Sequence, residues 1–418
     1  MAITMAWGGT YTVLLEVGFI VREFTLNTST LDGSDVLDGT LEGIDATEWV
    51  QEISINRGRS DILQDFTAGR CVIVLNNNDR RFDPLNASSP YVDPSTGESG
   101  VVPRRKVTVK YGSTTLFTGR ITDIDFEYEP TPVTRSTCTI EASDDFLRLA
   151  STYISAHTPT SALSGAAVSA ILDRAEVNYP STRSISTGTA TIGAYPIAES
   201  TNTLDYLLDV SRTEQGYLFI KGNGDLNFTD RVTASFASPT FTFTDSGSGV
   251  GYSDFGVQYG DEFLYNRILV ENATGTTVNA DDATSQTTYG ISALRLGECL
   301  FASDAAAQSL ADFLLNEYKE PEYRIDEIKV DFAGANVSTA NQQSIVDLDL
   351  GGVIAVVKSF STGTPSSVSQ NLAIQQINHS ISPLAHSINF RLSPARVLGQ
   401  FTLNSATLGT LDDNNAVT

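Results

Sequence analysis

Three histidines, His157, His379 and His386, and three cysteines, Cys71, Cys138 and Cys299, are the side chains of this sequence that could hold a metal or attack a carbon. Their spacing suits neither task. No HExxH, CxxC or GxSxG pattern occurs, so zinc hydrolysis, thiol exchange and an activated serine all lack their usual frame. An odd number of distant cysteines fits small core residues better than a disulfide framework. Gly247-Ser248-Gly249-Val250-Gly251 is glycine-rich but does not sit between a strand and a helix, so it is a poor phosphate cradle. Asp347-Leu348-Asp349-Leu350-Gly351-Gly352 starts like a calcium loop, yet Lys358 stands where the bidentate Glu belongs. Asp32-Gly33-Ser34-Asp35 fails in the same way, with Gly43 at that position. The pair Asp144-Asp145 is explained by a helix N-terminus. No catalytic residue, metal ligand or cofactor is assigned.

Basic residues are scarce and unevenly placed. Lys and Arg total 26 against 50 Asp and Glu, a net charge of −24. Nucleic-acid binding through phosphates needs the opposite balance, and no aromatic residues interleave with the basic ones. The arginines gather between residues 57 and 120. Arg57, Arg59, Arg80, Arg81, Arg104 and Arg105 are expected to form a partner-facing patch, because guanidinium pairs bidentately with carboxylates at interfaces.

The elements that would position these residues are mostly strands. A chain of 418 residues with 41% hydrophobic and 9% aromatic content can bury a sizeable core in several domains. Lys106–Tyr111 alternates, with Val107, Val109 and Tyr111 on one face, and 135–142 alternates with Cys138 and Ile140 inward. Ala166–Ala175 and Thr203–Glu214 have helical spacing, the second with Asn202 as cap, Leu204, Leu207, Leu208 and Ser211 as its stripe, and Gly216 beyond its end. Tyr217–Ile220 and 225–228 flank Lys221-Gly222-Asn223-Gly224 as a hairpin. Residues 235–262, rich in Ser, Gly and Asp, are expected to be a connection. Ser303 caps a helix with Leu310, Phe313 and Leu314 on its stripe, stopped by Pro321. The expected fold class is mainly β with α+β insertions. Its parts are an acidic arm 1–50, a β domain 51–150, a mixed helix and hairpin domain 151–260, a second β domain with an inserted helix 261–397, and an arm 398–418. The N-terminus has no signal-peptide pattern, and no apolar run approaches a membrane span, so a soluble protein made in a cytoplasm is expected.

Phe24-Thr25-Leu26-Asn27, then Thr30-Leu31, recurs as Phe401-Thr402-Leu403-Asn404, then Thr407-Leu408. Phe24, Leu26, Phe401 and Leu403 are therefore expected on docking arms. A lone strand seeks a sheet edge.

Two stretches resemble a known family. The first joins Ile55-Asn56-Arg57-Gly58-Arg59, Asp65-Phe66-Thr67-Ala68-Gly69, Asn78-Asp79-Arg80-Arg81-Phe82-Asp83-Pro84-Leu85-Asn86, Ser89-Pro90-Tyr91 and Leu116-Phe117-Thr118-Gly119-Arg120-Ile121. The second joins Tyr265-Asn266-Arg267, Pro321-Glu322-Tyr323-Arg324-Ile325-Asp326, Leu348-Asp349-Leu350-Gly351 and Leu392-Ser393-Pro394-Ala395. Together they resemble the tail-hub, or minor tail, proteins of long-tailed actinobacterial bacteriophages. Gly352 departs from the acid expected in that pattern. The resemblance implies two tail-tube-like antiparallel β domains per chain, so that a homotrimer mimics a six-fold tube. It implies a virion structural protein rather than an enzyme, at the tail tip after assembly in the host cytoplasm. Its partners would be the tail tube or a distal tail protein and other minor tail proteins or a central fibre. Viral DNA would pass the lumen without specific binding. The alternatives are a tail-associated cell-wall hydrolase or a carbohydrate-binding module.

Overall fold

Alternation of apolar and polar residues decides the architecture. Strands Val50–Gly58, Thr67–Asn76, Ser136–Ser143, Ser367–Ile381 and His386–Pro394 each bury alternate side chains over most of their length. A strand with this period has one face for a core and one for water. The computed structural model describes residues 3–4, 10–18, 43–93, 96–129, 135–179, 182–235, 238–247, 249–334 and 337–395. The fold is mainly β, dominated by one large and almost wholly antiparallel sheet. Its order runs Thr10–Leu15, Lys106–Tyr111, Thr114–Tyr128, Ser136–Ser143, Thr67–Asn76, Val50–Gly58, Ser367–Ile381, His386–Pro394, Arg324–Asp331 and Asp254–Gln258.

The halves of this sheet, from either end of the chain, meet at one seam. Val50–Gly58 lies antiparallel to the second part of Ser367–Ile381, with Ile53 opposite Ile381 and Gly58 opposite Gln376. The first part of the same long strand pairs instead with Val353–Ser359. Phe241–Thr244 adds a parallel edge beyond that. Residues 235–262, expected to be a connection, therefore contribute two strands, Phe241–Thr244 and Asp254–Gln258. Both are edge strands of four or five residues, too short for their alternation to stand out against Ser and Gly.

One core runs under the whole sheet and into the mixed region, from Tyr11 and Val13 through Ile73 and Ile140 to Ile377 and Phe390. In the mixed region, helix Thr203–Glu214 forms with Asn202 accepting hydrogen bonds from the Leu204 and Asp205 amides. Its buried face is Tyr206, Leu207, Val210, Ser211 and Glu214, rotated from the expected Leu204–Leu208 stripe. Gln215, not Gly216, takes the left-handed position at its end, with φ 55°. The first helix runs over Ser164–Leu172, and the hairpin pairs Tyr217–Ile220 with Leu226–Thr229. A separate small core joins Arg267–Asn272, Thr277–Asp281 and Ala293–Cys299 to helix Asp304–Tyr318. Ser303 caps that helix as expected, and Ala307, Leu310, Ala311 and Leu314 are its buried side. Phe313 is only partly buried beside it. Among the described residues no helix is long and apolar enough to cross a membrane.

Candidate assembly site

The seam is built from polar side chains buried where two halves of a sheet meet. Ile374 and Gln376 are separated by a register shift that places Gln375 in a bulge, its side chain buried. A bulge turns a side chain out of the alternation and re-aims it. Gln375 Nε2 donates to Ser393 Oγ at 2.8 Å, and its Oε1 accepts from Arg59 Nε at 2.7 Å. The Arg59 amide donates to the Gln375 carbonyl at 2.9 Å. Arg59 also donates to the Gln64 carbonyl at 2.9 Å and lies over the Phe66 and Tyr217 rings, 4.5 and 5.0 Å from their centroids. Burial pulls its guanidinium below the usual pKa. Gly58 precedes it at φ 117°, and a Cβ there would overlap the Gln375 carbonyl, so the close approach requires glycine.

One turn of alternation away, Arg57 is also inside. It pairs with Asp349 at 2.8 Å and donates to the Ile220 carbonyl at 3.4 Å, reaching the mixed region. The side chain of Asp349, part of the failed calcium-loop pattern, is thus used as a counter-ion.

Below the seam lies a polar relay that sequence spacing did not reveal. Tyr11 Oη and His386 Nδ1 are 2.6 Å apart, and His386 Nε2 is 3.1 Å from His379 Nδ1. Seven residues separate the histidines, but the hairpin pairs His379 with Ile388 and Ile381 with His386, which puts both rings on the core face. The signal was the Ser382-Pro383 turn signature between two alternating runs, which predicts a hairpin and hence the pairing. Burial holds His379 down at about 3, with Arg57 adding to the shift, and holds His386 well below its usual value, with His379 adding. His157 lies elsewhere, half-buried, with its Nδ1 3.0 Å from the Ser155 carbonyl. All three cysteines are buried, and burial pushes Cys138 and Cys299 to about 12. Among the described residues no group of three His, Cys, Asp or Glu side chains could hold a metal ion.

The arginines expected together on one patch are distributed over three places. Arg57 and Arg59 are in the seam, spent inside the chain and closed to a partner. Burial between the mixed region and the sheet accounts for that, and no local pattern distinguishes them from surface arginines. Arg80 and Arg81 lie in the long connection 77–105. Arg80 Nε donates to Asp83 at 2.8 Å and Tyr128 Oη donates to the same oxygen, also at 2.8 Å. Arg81 pairs with Asp79 and lies 3.8 Å over the Trp49 ring. Arg104 and Arg105 sit on the far side, beside Arg120. Phe24, Leu26, Phe401 and Leu403 lie outside the described residues.

The outer face of the sheet is continuous across the seam. Its rows follow the register: Asp123 beside Glu141, Asn56 beside Asn378, Asn378 beside Asn389, and Asn389 beside Lys329. From strand 114–128 to strand 254–258 this face carries eight carboxylates: Asp123, Asp125, Glu127 and Glu141, then Glu52, Glu327, Asp331 and Asp254. Four cations, Arg70, Arg120, Lys329 and Arg391, oppose them. The face is polar, acidic and almost free of large apolar groups.

No family model matches the sequence, and no curated protein matches it. Solved structures do match in fold. A tail protein from Neisseria meningitidis MC58 is similar over 91% of this chain and 95% of its own, with a TM-score of 0.56 and 11% identity. The 43 kDa tail protein of prophage MuSo2 from Shewanella oneidensis is similar over 92% of this chain and 96% of its own, also at 0.56 and 11%. The fold is therefore that of phage tail proteins over nearly the whole length of both chains.

Proposed function

We propose that this chain is a structural protein of a phage tail, the hub at its distal tip. Three copies would form a ring that joins the tail tube to the host-binding apparatus and opens for DNA exit. The observation that carries the reading is the single sheet, continuous through both halves of the chain, with one buried face and one polar face. Two β halves per chain would give a trimer six sheet segments around a passage, in closed cyclic symmetry.

In that ring the polar face lines the passage. Its eight carboxylates against four cations repel DNA phosphates, so the genome slides past instead of sticking. The Arg80 and Arg81 loop and the two arms, with Phe24, Leu26, Phe401 and Leu403, are the surfaces proposed to meet neighbouring tail proteins.

Multi-angle light scattering of the full chain, followed by projection images of tails labelled on this chain, tests the reading. A three-fold ring at the tail end is expected. A persistent monomer, together with label absent from tails, would remove it.

A further inference from the structure

Arg104, Arg120 and Arg148 line an open pocket of about 520 Å³, with Leu147, Ile121 and Asp145 completing its walls. Three guanidiniums around one hollow are out of character for a chain of net charge −24. Their internal partners are few. Arg120 approaches Asp145 only to 3.8 Å and donates to the Arg104 carbonyl at 3.2 Å. Arg148 donates to the Asn178 carbonyl at 2.8 Å. The Arg104 side chain, on a backbone at φ 70°, has neither a hydrogen bond nor an ion pair among the described residues. Arg105 follows it, and its buried Nε has no hydrogen-bond partner. Asp144 does not neutralise the pocket, because its carboxylate is turned inward to the Gly69 and Phe146 amides at 2.7 and 3.0 Å. Leu147 stands 45% exposed at the pocket wall. The hollow offers unpaired positive charge beside one apolar contact.

The complementary chemistry leaves the fold next to it. Gly18 lies against the Arg105 guanidinium, so closely that a Cβ would overlap it. From there the chain departs into residues 19–42 and returns at Gly43, 3.0 Å by its Cβ position from the Leu15 carbonyl. Within 19–42 the one basic residue is Arg22, against Glu23, Asp32, Asp35, Asp38 and Glu42. Leucine and acid alternate as Leu31-Asp32 and Leu37-Asp38. Between Gly18 and Asp32 the backbone can span about 45 Å at full extension, ample for a pocket beside its point of departure.

We infer that the segment Leu31–Asp38 of the same chain docks in this pocket. Its carboxylates meet Arg104 and Arg120, which line the pocket, and one of its leucines covers Leu147. Guanidinium and carboxylate form the strong, bidentate kind of hydrogen bond, and the leucine fixes the register. The inference stands independently of the tail reading.

A photo-crosslinking residue at Val36 of the full chain tests it, with cross-linked peptides mapped by mass spectrometry in mixed light and heavy-isotope protein. Cross-links to 103–122 or 144–151 within one chain are expected. Arg104→Glu with Arg120→Glu should reduce them about tenfold, the loss of one charge-assisted contact or more. Asp32→Lys with Asp38→Lys should do the same, and the two pairs combined should restore them. Cross-links that map elsewhere, ignore charge reversal, or join heavy to light chains would overturn the inference, the last by assigning the pocket to a second copy.

Discussion

Arg57 and Arg59 at the seam, and Arg104 and Arg105 beside the outer pocket, come from one arginine-rich stretch and end in opposite circumstances. The first two are buried, with a carboxylate, carbonyls, a glutamine and two aromatic rings around them. The second two have no hydrogen bond or ion pair through their guanidiniums among the described residues. The comparison teaches that charge clustering in sequence does not report a surface. Guanidinium is weakly hydrated and planar enough to be taken inside wherever a fold must join two apolar halves through backbone groups left by a bulge. Where no such junction exists, the same residue stays open to a ligand.

The seam should yield the largest effect. Arg59→Met keeps the length of the side chain but leaves Gln375 Oε1 and the Gln64 carbonyl without their donor. Loss of about 3 kcal/mol is expected, since truncating one partner of a buried polar set leaves the others unpaired. Urea denaturation of the full chain measures it. A loss under about 1 kcal/mol would mean that packing alone closes the seam, and the contrast with the outer arginines would vanish. A double-mutant cycle of Arg59→Met with Gln375→Leu sharpens the point, because residues sharing one network should couple by about 1 kcal/mol.

The histidines beneath the seam predict how pH reaches it. The folded pKa of His379, about 3, is below the unfolded value of about 6.5. The unfolded chain therefore binds the extra proton first, so stability is full above about pH 6.5 and falls as pH drops toward 3. His386 adds to the same trend. Asp144 works in the other direction. Burial raises it to about 7, so its contribution is full below the unfolded value and is lost as pH rises through 7. The unfolding free energy from urea denaturation between pH 7.5 and 4.5 should decline on acidification, by at most about 1 kcal/mol per pH unit for each histidine. His379→Gln should flatten that decline. An unchanged slope would place the titrating group elsewhere, and the relay would then be no part of what holds the two ends of the chain together.

What could be read from the sequence followed the local character of each signal. The Ser303-capped helix, the Tyr217–Ile220 hairpin and the inward Val107, Val109, Cys138 and Ile140 are set by capping, turn residues and period two, all contained within a few residues. The large β fold followed from those strands. The seam could not be read, because its meaning depends on residues 316 positions apart, Arg59 and Gln375, and on a bulge that breaks the very alternation used to find strands. The His379–His386 contact was half legible: the turn between them was visible, but pairing across it sets the contact, not spacing along the chain. Charge clustering grouped Arg57 and Arg59 with Arg104 and Arg105, and the fold takes the first pair inside. Burial separates the two pairs, and burial is decided by the whole fold.

The smallest expected effect belongs to the outer arginines, and its smallness is the test. Arg104→Ala removes a guanidinium with no hydrogen bond or ion pair among the described residues, so the unfolding free energy in urea should change by no more than about 0.5 kcal/mol. Arg105→Ala should be equally mild, or slightly stabilising, because it deletes a buried Nε that has no hydrogen-bond partner. Docking of an acidic segment would not change this expectation. Such a segment can detach while the sheet stays closed, so its contribution appears in local opening and not in the global transition. Proteolysis within residues 19–42 at low salt should therefore accelerate in both variants while the midpoint stays in place, and rising salt should erase the difference as screening replaces the lost charges. A drop of more than about 1.5 kcal/mol in the unfolding free energy for Arg104→Ala would show that this arginine, like Arg59, is structural. The two ends of the arginine-rich stretch would then differ in degree alone.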